Sequence, residues 1–352
     1  MLRWLQRRRP SPIGVDIGAR SVKLVQFDGD HTSLLEASRA ELPALSDKAT
    51  PAERSAAITQ ALEKALTGKA FRGREAVVCL NDRHLFVQNV RVARSEGAEL
   101  DRLVAQEAAG KIPYSVAETE LRYFEAADVR QGENTLREVI LLACHRPILD
   151  EMLKTVDNAR LQPVAVDVEP AAIVRSYAIQ FRRDEDRKQR ALLVHLGYSR
   201  SVVTITQGDD VLFTKYIDIG GVQFDAAVAR HLKMELPDAV ALRRHSFDRR
   251  AEQQDAQVLN SVADAMRPAV ERLLAEISMC VRYHSVTFRG QPLVRLTLSG
   301  GEATPALLEQ ISKQFDFRCE LSDPFRPFAV PPHVGRRGQW DVAAGLALRE
   351  MN

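Results

Sequence analysis

Cysteine is scarce in this chain, and where it falls excludes two classes of site. The 352 residues hold four cysteines, Cys79, Cys144, Cys280 and Cys319, none in a Cys-x-x-Cys pair. Each lies in or beside an apolar run, which reads as a buried, reduced thiol and fits the cytosol rather than a disulfide-forming compartment. The eight histidines show no pair at helical metal spacing, so no structural zinc is expected. Net charge is also scarce: 49 Lys and Arg against 47 Asp and Glu leave +2, without the basic excess of a nucleic-acid binder. No apolar run approaches the length of a membrane span. The first ten residues are basic but lack the apolar region of a signal peptide. A P-loop is missing, because Gly110-Lys111 is followed by Ile112 and has no glycine at the required upstream spacing. A nucleophile elbow is missing too.

What is present starts with Ile13 to Val25. Apolar residues alternate through Ile13, Val15 and Ile17, Gly18-Ala19-Arg20-Ser21 forms a turn, and Val22 and Leu24 resume the pattern. This predicts a β-hairpin with Asp16 near the end of its first strand. A glycine turn admits close backbone approach, its N–H groups can cradle an anion, and a nearby carboxylate can hold a cation or its water shell. Such a hairpin is equally compatible with a plain surface turn. The pattern then repeats. Ala191 to Ile205 again reads apolar strand, glycine turn, apolar strand, followed by a turn at Gly208-Asp209-Asp210 and a third strand. An internal repeat says more than either copy alone.

A length of 352 residues suits about two lobes. The expected division is a basic tail over 1–12, a first lobe over 13–78 and 164–180, and an inserted α+β unit over 79–163. A charged connector over 181–190 leads to a second lobe over 191–352, with a helical part at about 222–290. Thr50-Pro51-Ala52-Glu53 is a capping box opening a helix, Ser95 is the expected cap of another, and Pro268 should kink or split a long one. Residues 1–9 read either as a frayed tail or as a peripheral contact with an anionic membrane surface. Two glycine hairpins and the strand-Gly300-Gly301-helix turn would converge on one cleft between lobes. There a di- or triphosphate could also meet the N-terminus of the helix after Gly301.

In that order and spacing the chain resembles the actin-like ATPase superfamily. The motifs are Gly14-Val-Asp16-Ile-Gly18 and Leu196-Gly197 as phosphate loops, and Leu298-Ser-Gly300-Gly301 as the adenosine turn. Gly220-Gly221 is assigned to the first connecting helix and Ala343-Ala344-Gly345-Leu346-Ala347 to the second. More narrowly it is similar to the type IV pilus assembly PilM family, through the basic start, the Val-Lys-Leu strand, Ile112-Pro113-Tyr114, Val166-Asp167-Val168-Glu169 and Asp323-Pro324-Phe325. The resemblance implies an α/β fold of two lobes with duplicated mixed sheets (the ribonuclease H-like plan) and a small inserted α+β subdomain. It implies ATP or ADP with Mg between the lobes, and a location at the cytoplasmic face of the inner membrane. The implied partners are the cytoplasmic tail of a PilN-like inner-membrane protein and other pilus assembly components, with self-association left open. The implied nucleotide contacts are Asp16, Gly18, Ala19, Arg20, Ser21, Lys23, Gly197, Ser199, Gly220, Gly221, Gly300 and Gly301. Asp16 is also the candidate catalytic carboxylate and the candidate Mg ligand through water.

Two positions depart from the superfamily pattern. The second phosphate loop usually opens on an acid, whereas here it reads His195-Leu-Gly197, and a neutral imidazole cannot replace a carboxylate in holding metal-bound water. Arg20 stands where a small hydroxyl residue is common, and it either contacts phosphate or faces solvent. Both changes weigh against hydrolysis more than against binding, so the expected function is nucleotide binding with weak or no turnover. The alternatives are a metabolite kinase of the same superfamily, for which no substrate-side carboxylate stands out, and an FtsA-like filament protein. The latter is expected to end in an amphipathic membrane helix rather than at Arg349-Glu-Met-Asn352. The related MshI and GspL-like families stay open, although GspL-like chains usually continue into a membrane span.

Overall fold

In the computed structural model the chain builds the same five-stranded sheet twice. The structure describes residues 9–350, apart from 44, 46–47, 81–82, 182, 249–254, 289 and 331–333. The first half opens with an antiparallel meander of β1 (Ile13–Ile17), β2 (Ser21–Phe27) and β3 (Leu34–Glu41). After α1 (Pro51–Leu66), β4 (Glu75–Leu80) pairs parallel to β1. An insertion follows: β5 (Phe86–Ala93), α2 (Gly97–Ala109), β6 (Thr119–Gln131), β7 (Asn134–His145) and α3 (Arg146–Asn158). Then β8 (Gln162–Val168) pairs parallel to β4, and α4 (Glu169–Ala178) and the single turn α5 (Asp184–Arg187) lead out. The second half repeats the meander in β9 (Arg190–Leu196), β10 (Ser201–Gln207) and β11 (Asp210–Ile217). It continues through α6 (Gly221–Leu232), α7 (Leu236–Asp248) and α8 (Ala256–Thr287) to β12 (Leu293–Ser299) and α9 (Pro305–Ser312). Strand β13 (Arg318–Leu321) and helix α10 (Asp341–Ala347) complete it. The sheet orders β3-β2-β1-β4-β8 and β11-β10-β9-β12-β13 are the same topology, as the repeat predicts.

Local chemistry explains these elements. Every residue of β1 and β2 is buried, which is why their sequence carries so few exposed-type side chains. The expected capping box is formed: Glu53 N donates to Thr50 Oγ1 (3.3 Å) and Thr50 N to Glu53 Oε2 (2.7 Å), with Pro51 in the first turn. Such a cap contributes about 1 kcal/mol. The start of α2 differs from expectation, because its cap is Glu96 rather than Ser95 and makes no side-chain cap bond. Helix α8 is not split at Pro268 either. Proline withholds one donor, while Ala265, Met266, Ala269 and Val270 on the same turns are buried in the second-lobe core, which offsets the lost bond.

The insertion makes its own three-stranded sheet, β5-β7-β6. Its packing is shorter at both ends than the expected 79–163. Strand β4 belongs to the first sheet as far as Leu80, and α3 places Val156 in the core beneath β1. This sheet leans on the second lobe, with Asn89 Nδ2 donating to the Thr214 carbonyl (2.9 Å) and the Tyr283 hydroxyl donating to Glu138 Oε1. One apolar cluster joins β4 (Val77), β7 (Ile140, Leu142), α4 (Ala172), β9 (Leu193) and α10 (Leu346), so all three units share a core. Among the described residues no helix is long and apolar enough to cross a membrane. The expected membrane contact over 1–9 lies outside the described residues except for Arg9.

Candidate functional site

The two hairpin turns face each other across a cleft of ≈ 420 Å³. Each turn is closed in the same way. Gly18 N donates to the Ser21 carbonyl (3.1 Å), and Gly197 N donates to the Arg200 carbonyl (3.1 Å). At Gly197 a Cβ would overlap that carbonyl, so this turn requires glycine. The strand registers pair Asp16 with Lys23 in the first hairpin and His195 with Val202 in the second. Asp16 and His195 thus hold equivalent places, two residues before the turn glycine, on opposite walls.

Their environments differ. Lys23 Nζ donates to Asp16 Oδ2 at 2.6 Å, and both side chains are buried. Asp16 was expected to hold Mg through water. Its Oδ2 is engaged by Lys23, and among the described residues no group of three His, Cys, Asp or Glu stands ready to hold a metal ion directly, so a metal here would compete with Lys23 for this carboxylate. On the other wall His195 Nδ1 donates to Asp341 Oδ2 (2.8 Å), and Nε2 faces Glu169 Oε1 at 3.5 Å. Burial disfavours the charged ring, but the charge and hydrogen bond of Asp341, with Glu169 behind them, outweigh it and raise the pKa to about 9. Burial would likewise raise the Asp341 carboxyl, yet His195, Ser299 and the Val342 N–H hold it below the usual range. The expectation of a neutral imidazole is therefore corrected: the ring is an imidazolium, because two carboxylates flank it. Asp341 opens α10 and Glu169 opens α4, so the helices carried by the first-lobe sheet grip a side chain of the second.

Arg20 is partly exposed and meets a protein anion only at a distance. Its guanidinium stacks on the Tyr198 ring of the other hairpin (4.3 Å to the centroid), with Asp225 Oδ2 3.8 Å away. Arg20 Nη1 is buried with no hydrogen-bond partner. Beneath Tyr198, the fully buried Arg243 of α7 binds Asp225 Oδ1 (2.6 Å) and Glu302 Oε2 (2.6 Å). Cys79 also lines the cleft, and burial, reinforced by nearby carboxylates, pushes its thiol well above the usual range, so it stays protonated.

The structure brings Asp16, Gly18, Ala19, Arg20, Ser21, Lys23, Gly197, Ser199 and Gly301 to the cleft wall. Gly220, Gly221 and Gly300 stand behind it. Gly221 N donates to the Gly197 carbonyl (3.1 Å) and Val222 N to that of Tyr198 (2.9 Å), so the start of α6 braces the second turn with its own N–H groups. Gly300, at φ +96°, packs on the Leu196 backbone. The N-terminus of α9 is partly closed, because Thr304 Oγ1 accepts from Leu307 N (3.2 Å). The first connecting helix is also corrected. It is α4, not the helix after Gly220-Gly221. A Cβ on Gly345 of α10 would overlap the Ala172 carbonyl of α4, and one on Gly14 would overlap the Ala343 carbonyl, so these helices and β1 touch backbone to backbone. Glu169, Tyr198, Arg243 and Glu302 were missed. The register of the first hairpin could have exposed the Lys23–Asp16 pair, since a four-residue turn sets position 16 opposite 23; nothing local announces the others.

With this geometry in view, the comparisons with known proteins are decisive. A family model described as type IV pilus assembly protein PilM matches residues 14–351. The chain belongs to the PilM family. A solved PilM-PilN type IV pilus biogenesis complex has a chain similar to this one at 22% identity, covering 97% of this chain and 98% of that one, with a TM-score of 0.78. The ethanolamine utilization protein EutJ from Carboxydothermus hydrogenoformans is similar in fold at 12% identity, covering 96% and 89%, with a TM-score of 0.56. The duplicated sheets and the helices crossing between them are the actin-like, two-lobed fold that PilM-family membership implies.

Proposed function

We propose that this chain is a cytoplasmic, nucleotide-binding component of a type IV pilus assembly machine. It takes ATP or ADP between its lobes and the cytoplasmic tail of a PilN-like inner-membrane protein on its first lobe and insertion. The observation that carries the nucleotide part is the pair of glycine turns closed by the same backbone bond and opposed across one cleft. The charge of the wall suits a polyanion, with Arg20, Lys23, His195, Arg200, Arg244 and Arg336 all lining it. The partner reading is supported by family membership and by the similarity of this chain to one solved with PilN.

Turnover is slow or nil in this reading. A general base must be free to accept a proton from attacking water. Asp16 is bound to Lys23 and Glu169 faces the His195 imidazolium, so the cleft-lining acid beside each of these positions is already engaged. The test has two arms. Titration with ATP and ADP should give saturable binding, and phosphate release should stay at background. Turnover well above background that Asp16→Ala abolishes would overturn the no-turnover part. A cytoplasmic tail peptide of a PilN-like inner-membrane protein should be retained by the full chain, and absence of retention with or without ATP would overturn the partner reading.

A further inference from the structure

Each carboxylate that lines the cleft is already matched by a protein cation. Asp16 has Lys23 at 2.6 Å, Glu41 has Arg39 at 2.6 Å, Glu302 has Arg243 at 2.6 Å, and Glu169 has His195 at 3.5 Å. A divalent ion entering here would meet no uncommitted acid on either hairpin. It would also stand against Lys23 on one wall and the His195 ring on the other, where like charges repel strongly in a buried setting. Magnesium binds through carboxylates together with phosphate oxygens, and the protein half of that bargain is not on offer. Arg20, which also lines the cleft, is held only loosely by a protein anion: its Nη1 makes no hydrogen bond and stands 3.8 Å from Asp225 Oδ2.

We propose that the cleft binds the polyphosphate as the bare polyanion, with Lys23, Arg20 and the His195 ring standing where a hydrated divalent metal would otherwise sit. The inference rests on the reading of the cleft as a nucleotide site. Charge-assisted bonds from ammonium and guanidinium groups to phosphate are short and strong, so a metal is not required for retention. A triphosphate that brings its own Mg2+ leaves part of its charge behind in that complex and offers less to these cations. Metal-free ATP is therefore the better ligand.

The experiment uses the full chain and titrates it with ATP and with ADP, once in excess EDTA and once in millimolar MgCl2, by calorimetry. Binding in EDTA is expected to be as tight as in Mg2+ or tighter. A gain of about tenfold or more on adding Mg2+, which corresponds to about 1.4 kcal/mol, would overturn the inference and leave the nucleotide reading standing. Absence of binding in both buffers would overturn the nucleotide reading and this inference with it. The second arm uses Lys23→Met, checked for a native circular dichroism spectrum. It should lose about tenfold or more in EDTA, because a charged hydrogen bond to phosphate is removed, and recover part of that loss in Mg2+ because Asp16 is released. A Lys23→Met protein that binds ATP in EDTA as tightly as the parent would count against Lys23 as a phosphate ligand. The wild-type comparison of the two buffers needs no variant and decides the matter even if Lys23→Met fails to fold.

Discussion

The two hairpins are copies in backbone and opposites in electrostatics. In the first, the acid and its counter-ion face each other across one hairpin, Asp16 to Lys23, seven residues apart in the chain. In the second, the equivalent residue is a base, and its counter-ions come from the helices α4 and α10. Duplication supplied the frame, and the side chains then divided the roles. The first corner is self-contained. The second holds the lobes together, because an imidazolium on β9 is gripped by carboxylates at the start of helices that pack on the first lobe. The same asymmetry appears two residues earlier. Gly14 of β1 lies directly under α10, whereas its counterpart, Leu193 of β9, fills the shared core.

Exchanging those two residues should break the comparison most severely. Gly14→Leu drives a side chain into the Ala343 carbonyl and the Ala347 N–H, which are backbone and cannot swing aside. Overpacking of this kind costs about 1–3 kcal/mol where neighbours can shift and more where they cannot. The expected outcome is loss of soluble protein. Leu193→Gly empties a fully buried site instead and should fold, at a loss of about 3–5 kcal/mol in urea unfolding. If Gly14→Leu proved as stable as the parent, the backbone contact between β1 and α10 would be wrong.

Next in size is the removal of one carboxylate from the second corner. Asp341→Ala leaves a charged, buried His195 facing Glu169 alone. Breaking a buried pair in this way costs about 3–5 kcal/mol, whereas replacing both partners by apolar groups is often nearly neutral. The double change His195→Met with Asp341→Leu should therefore recover most of the stability that Asp341→Ala loses. Equal losses in the single and double variants would show that packing, not charge, explains the cost.

The pairings that make the two corners different are where legibility in the sequence ends. Strands, turns, the Thr50 capping box and the repeat itself were readable because they depend on neighbours within a few positions. The Asp16–Lys23 pair was readable in principle once the turn length set the register. His195 was noticed as a departure, but its charge depends on Asp341, far along the chain, and the pattern of β9 carries no trace of α10. The first connecting helix was misplaced for a related reason. Two adjacent glycines at 220–221 are a strong local signal, yet their task is to let α6 close against the turn at 197–198. The true crossing is marked only by Gly345 meeting Ala172, small residues whose meaning appears once the helices touch.

Protonation offers a graded way to sharpen the contrast, because the second corner titrates in a range where its contribution can be followed. The folded pKa of His195, about 9, lies above its unfolded value near 6.5. The folded state therefore binds the proton more tightly, and the corner's contribution is complete below about pH 6.5 and lost as pH rises through about 9. Its size is on the order of 3 kcal/mol. The other buried histidine works the opposite way. Burial and then Arg190 depress His284 to about 4, so it costs stability as pH falls from about 6.5 toward 4. Urea unfolding across pH 5 to 10 should thus peak near pH 6.5 for these two groups combined. In His195→Gln the alkaline decline should flatten while the acid limb stays. An unchanged alkaline limb in that variant would remove the imidazolium from the account.

The smallest expected effect is the most informative about how the corners communicate. Arg20 of the first hairpin stacks on Tyr198 of the second, a point where the two turns meet through side chains. A partly exposed cation–π contact is worth about 0.5–1 kcal/mol. A double-mutant cycle of Arg20→Ala and Tyr198→Ala, followed by urea unfolding of the free protein, should return a coupling of that order. The same residue lines the cleft and makes no hydrogen bond from Nη1, so a polyphosphate that draws the guanidinium off the ring would compete with Tyr198 for it. In saturating ATP the coupling should fall toward zero, because Arg20 then bonds to the ligand and Tyr198→Ala no longer removes a partner. A coupling that persists unchanged in ATP would mean that Arg20 serves as a brace between the lobes and not as a phosphate ligand. The two hairpins would then meet through protein alone.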